Sequence, residues 1–331
     1  MSARQKPRIY VHRLGSFYQL YMNEANENLL KSIGDVVLER GREEPFPADE
    51  LVKRMRGCSA ILSLNGIGAD EITLDVLKRV GTVKQVCISH CWGQLADVAR
   101  QAGIAFTEGS NANTVAVAEW TLAAALMGVR KLHLFDKSLK SGSPWGEPRL
   151  GGAGLFCEST VGLVGLGRIG WYVAQCLKPM GVKVIVFDKD RKKIEDLGLA
   201  AVGLDELLSS ADVVSLHLPV TSETKGLLGA REFSLLKDGA VFINSARAEL
   251  TDEPALVAEL KNNRFSAFLD VFSVEPLPLD HPFRKMGNVV ITPHIAGDNT
   301  AMFLRCGREA ILTLKDYFDG KGTRNRQYAF P

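Results

Sequence analysis

Residues 160–188, TVGLVGLGRIGWYVAQCLKPMGVKVIVFD, restrict the fold more than any other stretch of this chain. They open with an apolar run, Val161 to Val164, of the length of a buried strand. Gly165, Gly167 and Gly170 follow at the spacing G-x-G-x-x-G, then a helical pattern, then a second apolar run over 182–187. That run ends in Asp188, about 18 residues beyond Gly170. Each part has a physical task. Gly165 permits the tight turn out of the strand, Gly167 keeps side-chain atoms away from a pyrophosphate, and Gly170 lets the helix pack close to the sheet. The helix N-terminus offers unpaired N–H groups and about half a positive charge to phosphate. Asp188 can accept from both hydroxyls of an adenosine ribose. A βαβ unit could use such glycines for packing alone. Strand, glycines, helix, strand and terminal acid in this order point instead to a dinucleotide site. A 2′-phosphate facing Asp188 would be repelled, so NAD is expected ahead of NADP, with Lys189 and Arg191 softening that preference.

The 331 residues suffice for two domains. With 46% hydrophobic and 24% charged residues and a net charge of +2, the chain has no electrostatic footprint for nucleic acid. Six scattered cysteines form no C-x-x-C, and no His pair has zinc spacing, so no metal is expected. Free thiols suit a reducing compartment, and the N-terminus has no apolar core for a signal peptide, so the cytoplasm is the expected location. The longest apolar segment, 115–129, is interrupted by Glu119 and is too short to span a bilayer.

Short apolar runs at 8–11, 35–38, 60–64, 83–89 and 104–107 alternate with helical patterns at 23–33, 48–55, 73–79 and 95–102, with Thr73 a candidate cap. This alternation predicts a parallel sheet covered on both faces. One long helix is expected over 114–135. The Gly- and Pro-rich stretch 141–154 reads as a linker or extended arm leading into the nucleotide domain. There the βα pattern repeats, with strands at 182–187, 212–218, 240–245, 267–270 and 289–292, and a final helix at 299–318 returns to the first domain.

Ligands of such sheets bind beyond the carboxyl ends of the strands, so the residues there carry the chemistry. After 240–245 come Ala246 and Arg247; an arginine beside a nicotinamide could clamp a carboxylate and polarise a carbonyl, although alone it reads equally as a surface ion pair. The run 267–270 closes on Asp270, placed to bond the nicotinamide amide. Glu275 follows before Pro276; alone it is a solvated loop carboxylate. After 289–292 comes His294, in Pro293-His294-Ile295-Ala296-Gly297. A lone histidine is usually packing or surface, but a strand end in a nucleotide domain favours proton transfer. Together the three make a coherent set for reducing a 2-oxo acid: His294 as proton donor, Arg247 as clamp, and Glu275 bonded to His294 to favour the imidazolium and raise its pKa.

At this point the chain resembles the D-isomer-specific 2-hydroxyacid dehydrogenases. The likeness is carried by VGLVGLGRIG with Asp188, LHLPVTSETKGLL at 216–228, INSARAEL at 243–250, LDVFSVEPLP at 269–278, NVVITPHIAG at 288–297 and NANTVAVAEWT at 111–121. It implies an α/β fold of two doubly wound parallel-sheet domains, a Rossmann NAD-binding domain (114–298) inserted in a flavodoxin-like substrate domain (1–113 and 299–331). It implies Arg247, Glu275 and His294 as the catalytic trio, with Arg168 and Ile169 at the pyrophosphate and Asp270 at the nicotinamide. Leu218, Pro219 and Thr224 line the cofactor cleft, and Ser245, Ala246 and Gly297 join them as candidates. NADH and a small 2-oxo or 2-hydroxy acid are the implied partners, in a homodimer whose arm includes 141–154.

Departures from the family pattern bear on the substrate. The usual glycine-rich loop after 83–89 is replaced here by His90-Cys91-Trp92-Gly93, so Asn65, His90, Trp92 and Gly93 become the candidate substrate pocket. Ala248 stands where a glycine often follows the arginine, and Glu158-Ser159 where Gly-Lys is usual. The formate-oxidising relatives usually carry Gln at the Glu275 position, which argues against them, while phosphite oxidation and an NADH-sensing corepressor-like role stay open as alternatives.

Overall fold

The computed structural model describes residues 6–12, 18–38, 44–65, 69–89, 94–108, 112–145 and 152–321. His90, Trp92 and Gly93, and the 146–151 part of the arm, lie outside the described residues. The chain divides into two compact units, one of Met1–Asn113 with Asp298–Gln327, the other of Thr114–Gly297 with Tyr328–Pro331.

The first unit contains β1 (Arg8–His12), α1 (Tyr18–Tyr21), α2 (Glu24–Ile33), β2 (Asp35–Leu38), α3 (Ala48–Arg54), β3 (Ala60–Ser63), α4 (Leu74–Val80), β4 (Gln85–Ile88), α5 (Leu95–Gln101) and β5 (Ala105–Glu108). The strands run parallel in the order β2-β1-β3-β4-β5. Their apolar runs have no alternation because both sheet faces are covered; β3 and β4 are buried at every position. Thr73 caps α4, accepting the Val76 N–H at 3.3 Å.

The second unit contains α6 (Asn113–Val129), α7 (Leu132–Lys140), β6 (Thr160–Val164), α8 (Arg168–Leu177), β7 (Lys183–Phe187), α9 (Arg191–Asp196), β8 (Ala200–Ala201), α10 (Leu204–Ser210), β9 (Val213–Leu216), α11 (Ala230–Ser234), β10 (Val241–Asn244), α12 (Glu253–Lys261), β11 (Ser266–Leu269) and β12 (Val289–Ile291). Seven parallel strands lie in the order β12-β11-β10-β9-β6-β7-β8. Their core packs Phe242 edge-on against Phe233, ring centres 5.5 Å apart. The order reverses between β6 and β9, which puts the glycine turn after β6 at the point where such sheets receive ligands. The chain thus has the expected fold class, two doubly wound parallel-sheet units.

The single helix expected over 114–135 is two. α6 ends at Val129, Lys131 takes a left-handed backbone (φ 52°), and α7 starts at Leu132 and runs on to Lys140. The cause is a change of face. α6 is strongly apolar and exposes only the line Glu119, Ala123 and Met127, whereas α7 has no buried residue and only one apolar stripe, so one straight axis cannot serve both. The short α1 and the two-residue β8 were not foreseen, being too short for a periodicity to register.

The last helix, α13 (Thr300–Phe318), packs on α1, α2, β3, β4 and β5 and so belongs to the first unit. Buried Asn26 ties it there: Nδ2 donates to the Tyr21 carbonyl at 2.8 Å and to the Leu304 carbonyl at 2.9 Å. Tyr21 also meets Phe303 edge-on at 5.3 Å. Asn26→Ala should therefore lower stability by roughly 1–3 kcal/mol, two buried hydrogen bonds being lost. An unchanged urea midpoint would show that the tie contributes nothing.

Candidate active site

Gly165 leaves β6 with φ 102°, a conformation that suits glycine, and a Cβ there would stand 2.8 Å from the His217 carbonyl. Its N–H bonds the Phe187 carbonyl at 2.7 Å, closing the turn onto β7. Gly170 is equally committed, because a Cβ would collide with the Gly165 carbonyl. Before Gly167 the space is open: the nearest atom to a Cβ there is 4.0 Å away. Gly167 starts α8 with no side-chain cap, so the first N–H groups of that helix are open to an anionic group. These features fit a dinucleotide pyrophosphate. Arg168 and Ile169 occupy the first turn, both half-buried.

Asp188, expected as a ribose acceptor, also buckles the turn. One carboxylate oxygen takes the Leu166 N–H at 2.7 Å and the other the Asp190 N–H at 3.1 Å. Each oxygen keeps a lone pair for a further donor. After β9 the chain passes His217, whose Nε2 is enclosed with no hydrogen-bond partner among the described residues; burial pushes its pKa down to about 4, so it is neutral. His217 was not foreseen as a wall of the glycine turn, although a histidine closing the apolar run Val213–Leu216 is a readable signal. Beyond it Leu218 is half-buried against the core, and Thr224 ties residues 219–224, donating to the Pro219 carbonyl at 2.6 Å.

Three strand ends supply the rest. At the end of β10, Asn244 clips the next turn: Oδ1 accepts the Ala246 N–H at 3.1 Å and Nδ2 donates to the Arg247 carbonyl at 3.0 Å. Ser245 is buried with its Oγ 3.3 Å from Thr121 Oγ1, and Arg247 projects exposed, one Nη1–H on the Ala246 carbonyl at 2.6 Å. At the end of β11, Asp270 is 1% exposed. Its Oδ1 accepts the Thr292 hydroxyl at 2.5 Å and the Ile295 N–H at 2.9 Å, and its Oδ2 the Ala296 N–H at 2.8 Å. Expected at the nicotinamide, Asp270 is thus engaged in bracing the loop from β12 to Gly297.

On that loop His294 adopts φ 53° and directs Nδ1 to Glu275 Oε2, 2.7 Å away. The other Glu275 oxygen takes the Phe272 N–H at 2.9 Å. A carboxylate beside Nδ1 holds the proton there and leaves Nε2 free to face a reacting group. Burial raises the Glu275 pKa, but the bonds from His294 and Phe272 and the charges of His294 and Arg247 outweigh it, and the carboxyl ends below its ordinary 4.5. A cavity of about 620 Å³ adjoins the pair, walled by Phe272, Pro276, Leu277, Ile291 and Pro293, with Arg284 beside them. The first unit places Asn65 half-buried, Nδ2 3.4 Å from the Tyr21 hydroxyl. Among the described residues no cluster of His, Cys, Asp and Glu could hold a metal, and no helix is long and apolar enough to cross a membrane.

A family model described as D-isomer specific 2-hydroxyacid dehydrogenase, NAD binding domain, matches residues 122–296. A glyoxylate reductase of Thermofilum pendens is 34% identical over 300 residues, covering 88% of this chain and 85% of the relative. A D-3-phosphoglycerate dehydrogenase of Archaeoglobus fulgidus is 37% identical over 232 residues, 69% of this chain but 44% of that longer protein. The NAD-complexed D-isomer specific 2-hydroxyacid dehydrogenase of Lactobacillus delbrueckii ssp. bulgaricus superposes with a TM-score of 0.75 at 25% identity, over 97% of this chain and 99% of the other. The glycine turn and these likenesses make the protein an NAD(H)-dependent oxidoreductase of 2-hydroxy acids. Within that class, the chain belongs to the D-isomer specific 2-hydroxyacid dehydrogenase family. Family, fold class and cofactor thus agree with the expectations formed from the sequence.

The Glu275 carboxyl should titrate below 4.5 and move upward in His294→Ala, where its principal hydrogen-bond donor is gone. Since its folded pKa is depressed, the pair stabilises the fold above the unfolded value and that stability is lost as pH falls through the folded one. With both side chains more than a third exposed the stabilisation is small, at most about 1 kcal/mol. Carbon-13 NMR of the Glu275 carboxyl measures the shift directly; a wild-type value above 4.5 would contradict the geometry.

Proposed function

We propose that the protein interconverts a small 2-oxo acid and its 2-hydroxy acid, with His294 as acid/base, Glu275 as its orienting partner and Arg247 as carboxylate clamp. The observation that carries this reading is the 2.7 Å bond between His294 Nδ1 and Glu275 Oε2. It supports Nε2 as the ring nitrogen that exchanges a proton with the substrate. Bound reduced nicotinamide would supply the hydride to C2. His294 Nε2 gives a proton to the carbonyl oxygen as the hydride arrives, and takes it back in the reverse direction. The imidazolium that exists before transfer is matched by the Glu275 charge. Arg247 keeps four of its five N–H groups beyond the one spent on Ala246, enough for a bidentate grip on a carboxylate.

Residues 114–298 are assigned as the nucleotide domain, with Gly165, Gly167, Arg168, Ile169, Gly170 and Asp188 at the adenosine and pyrophosphate. Leu218, Pro219, Thr224, Ser245, Ala246, Asp270 and Gly297 are assigned along the cofactor, with Asp270 acting through the loop it braces. The two ends of the chain, 1–113 and 299–331, are assigned as the substrate domain, with Asn65, His90, Trp92 and Gly93 as its contact residues. The glyoxylate reductase relative suggests a two- or three-carbon oxo acid as substrate. Two copies of the chain are proposed to associate through the second unit. Supporting this, Leu132, Leu139, Trp145 and Leu155 lie within one short stretch of it and are 53%, 43%, 90% and 57% exposed. A reducing cytoplasm is the proposed location.

The experiment is NADH oxidation against glyoxylate, hydroxypyruvate, pyruvate and aryl-pyruvates. His294→Ala should cut kcat by about 10²- to 10⁴-fold, the usual worth of general acid catalysis, while NADH binding stays within about twofold. Unchanged turnover in that variant would remove His294 from its role. Asp188→Ala should weaken NAD binding and relax the rejection of NADP, measured as the ratio of kcat/KM for the two cofactors. A wild type that uses NADP as well as NAD would refute the proposed reason for cofactor choice.

A further inference from the structure

A second cluster of ionisable side chains lies in the first unit, at the carboxyl edge of the five-stranded sheet. The strand order there reverses between β1 and β3, the place where open parallel sheets receive ligands. β1 ends at His12 and β3 at Ser63, and the two residues are partners in register. Both are sealed, at 1% and 0% exposure. His12 Nδ1 lies 3.3 Å from Ser63 Oγ. Its Nε2 lies 3.2 Å from Glu71 Oε1, an ion-pair contact not aligned as a hydrogen bond. The Glu71 side chain is 2% exposed, and its other oxygen accepts the Phe46 N–H at 2.6 Å.

The hydroxyl of Ser63 sets the direction of its contact with His12. Ser63 has one hydroxyl proton and donates it to the Asn65 carbonyl at 3.1 Å. Towards His12 it therefore accepts, which places a proton on Nδ1. On its other side the ring sets Nε2 at ion-pair distance from the buried Glu71 carboxyl. Ser63 is no nucleophile, being closed to solvent with its proton turned to a backbone carbonyl.

What the cluster holds is the turn out of β3. The Leu64 N–H bonds the His12 carbonyl at 3.2 Å, Ser63 Oγ bonds the Asn65 carbonyl, and Asn65 Nδ2 reaches the Tyr21 hydroxyl. We propose that His12, Glu71 and Ser63 are positioning residues that hold the Asn65 turn as a binding surface for the oxo acid; this rests on the oxidoreductase reading above. They touch no reacting atom. Their loss should weaken substrate binding in ground and transition states alike, and leave the cofactor and the chemical step alone.

Ser63→Ala cuts the link to Asn65 without altering the pair's volume, and Glu71→Gln keeps the shape while removing the charge. Each should raise KM for the fastest 2-oxo acid about tenfold, with kcat and the NADH dissociation constant changed less than about twofold. Amide hydrogen exchange at Leu64 and Asn65 should quicken about tenfold in both, with global unfolding unchanged in Ser63→Ala. Wild-type KM together with wild-type exchange in Ser63→Ala would overturn the proposal. Should the wild type reduce no oxo acid at all, it is the oxidoreductase reading that fails, and exchange alone then decides whether the cluster holds the turn.

Discussion

A buried carboxylate at the end of β11 governs the proposed active site. Asp270 is almost wholly removed from water, and such a charge is tolerable only when its oxygens are occupied by donors. Three donors meet it: the Thr292 hydroxyl and the Ile295 and Ala296 N–H groups. These three flank His294 on both sides, so whatever satisfies Asp270 also fixes the backbone from which the imidazole projects. The left-handed φ of His294 fits this picture, since a strained backbone persists only where its surroundings over-determine it. Glu275 then has only the ring to orient.

The same device recurs at other strand ends. Asp188 closes the glycine turn through the Leu166 N–H, Asn244 clips residues 244–247 with both ends of its amide, and Ser63 holds the Asn65 carbonyl. In each case a polar side chain at the carboxyl end of a strand bonds backbone groups of the loop just beyond it or of its neighbour. A parallel sheet leaves those ends open, and ligands bind there. Side chains that stiffen such loops before a ligand arrives reduce the ordering cost of binding. Their worth therefore lies in affinity and orientation as well as in stability.

These bonds mark the limit of what the sequence made legible. The strands, the glycine turn and the Glu275–His294 pairing could be read because they depend on residue type: apolar runs, glycine where a Cβ will not fit, a carboxylate and an imidazole near each other in the chain. The partners of Asp270 could not, because two of its three donors are backbone N–H groups, which every residue but proline carries. An acid at a strand end looks the same in sequence whether it waits for a nicotinamide or holds a loop. The break at Lys131 was missed for a related reason. Apolar residues recur at Leu132, Leu134 and Phe135 just past the break, so the run does not visibly end although the second helix is far more polar. The His12–Glu71 pair was invisible because 58 intervening positions carry no trace of the register that brings β1 against β3.

Arg247 shows how the resting arrangement prepares for a ligand. Its backbone is extended and clipped by Asn244, so the side chain leaves from a fixed point. One Nη1–H rests on the Ala246 carbonyl one residue away, and among the described residues the fork forms no ion pair with a side chain. Had a carboxylate of the protein occupied it, an incoming acid would have had to displace that partner and bear the cost. Glu275 feels the charge of Arg247 and is held by other donors, Phe272 and His294. The guanidinium therefore acts on both sides of the proposed reaction. It helps keep Glu275 ionised, and so the imidazole oriented, while the donors that find no partner among the described residues remain for the carboxylate of the proposed substrate.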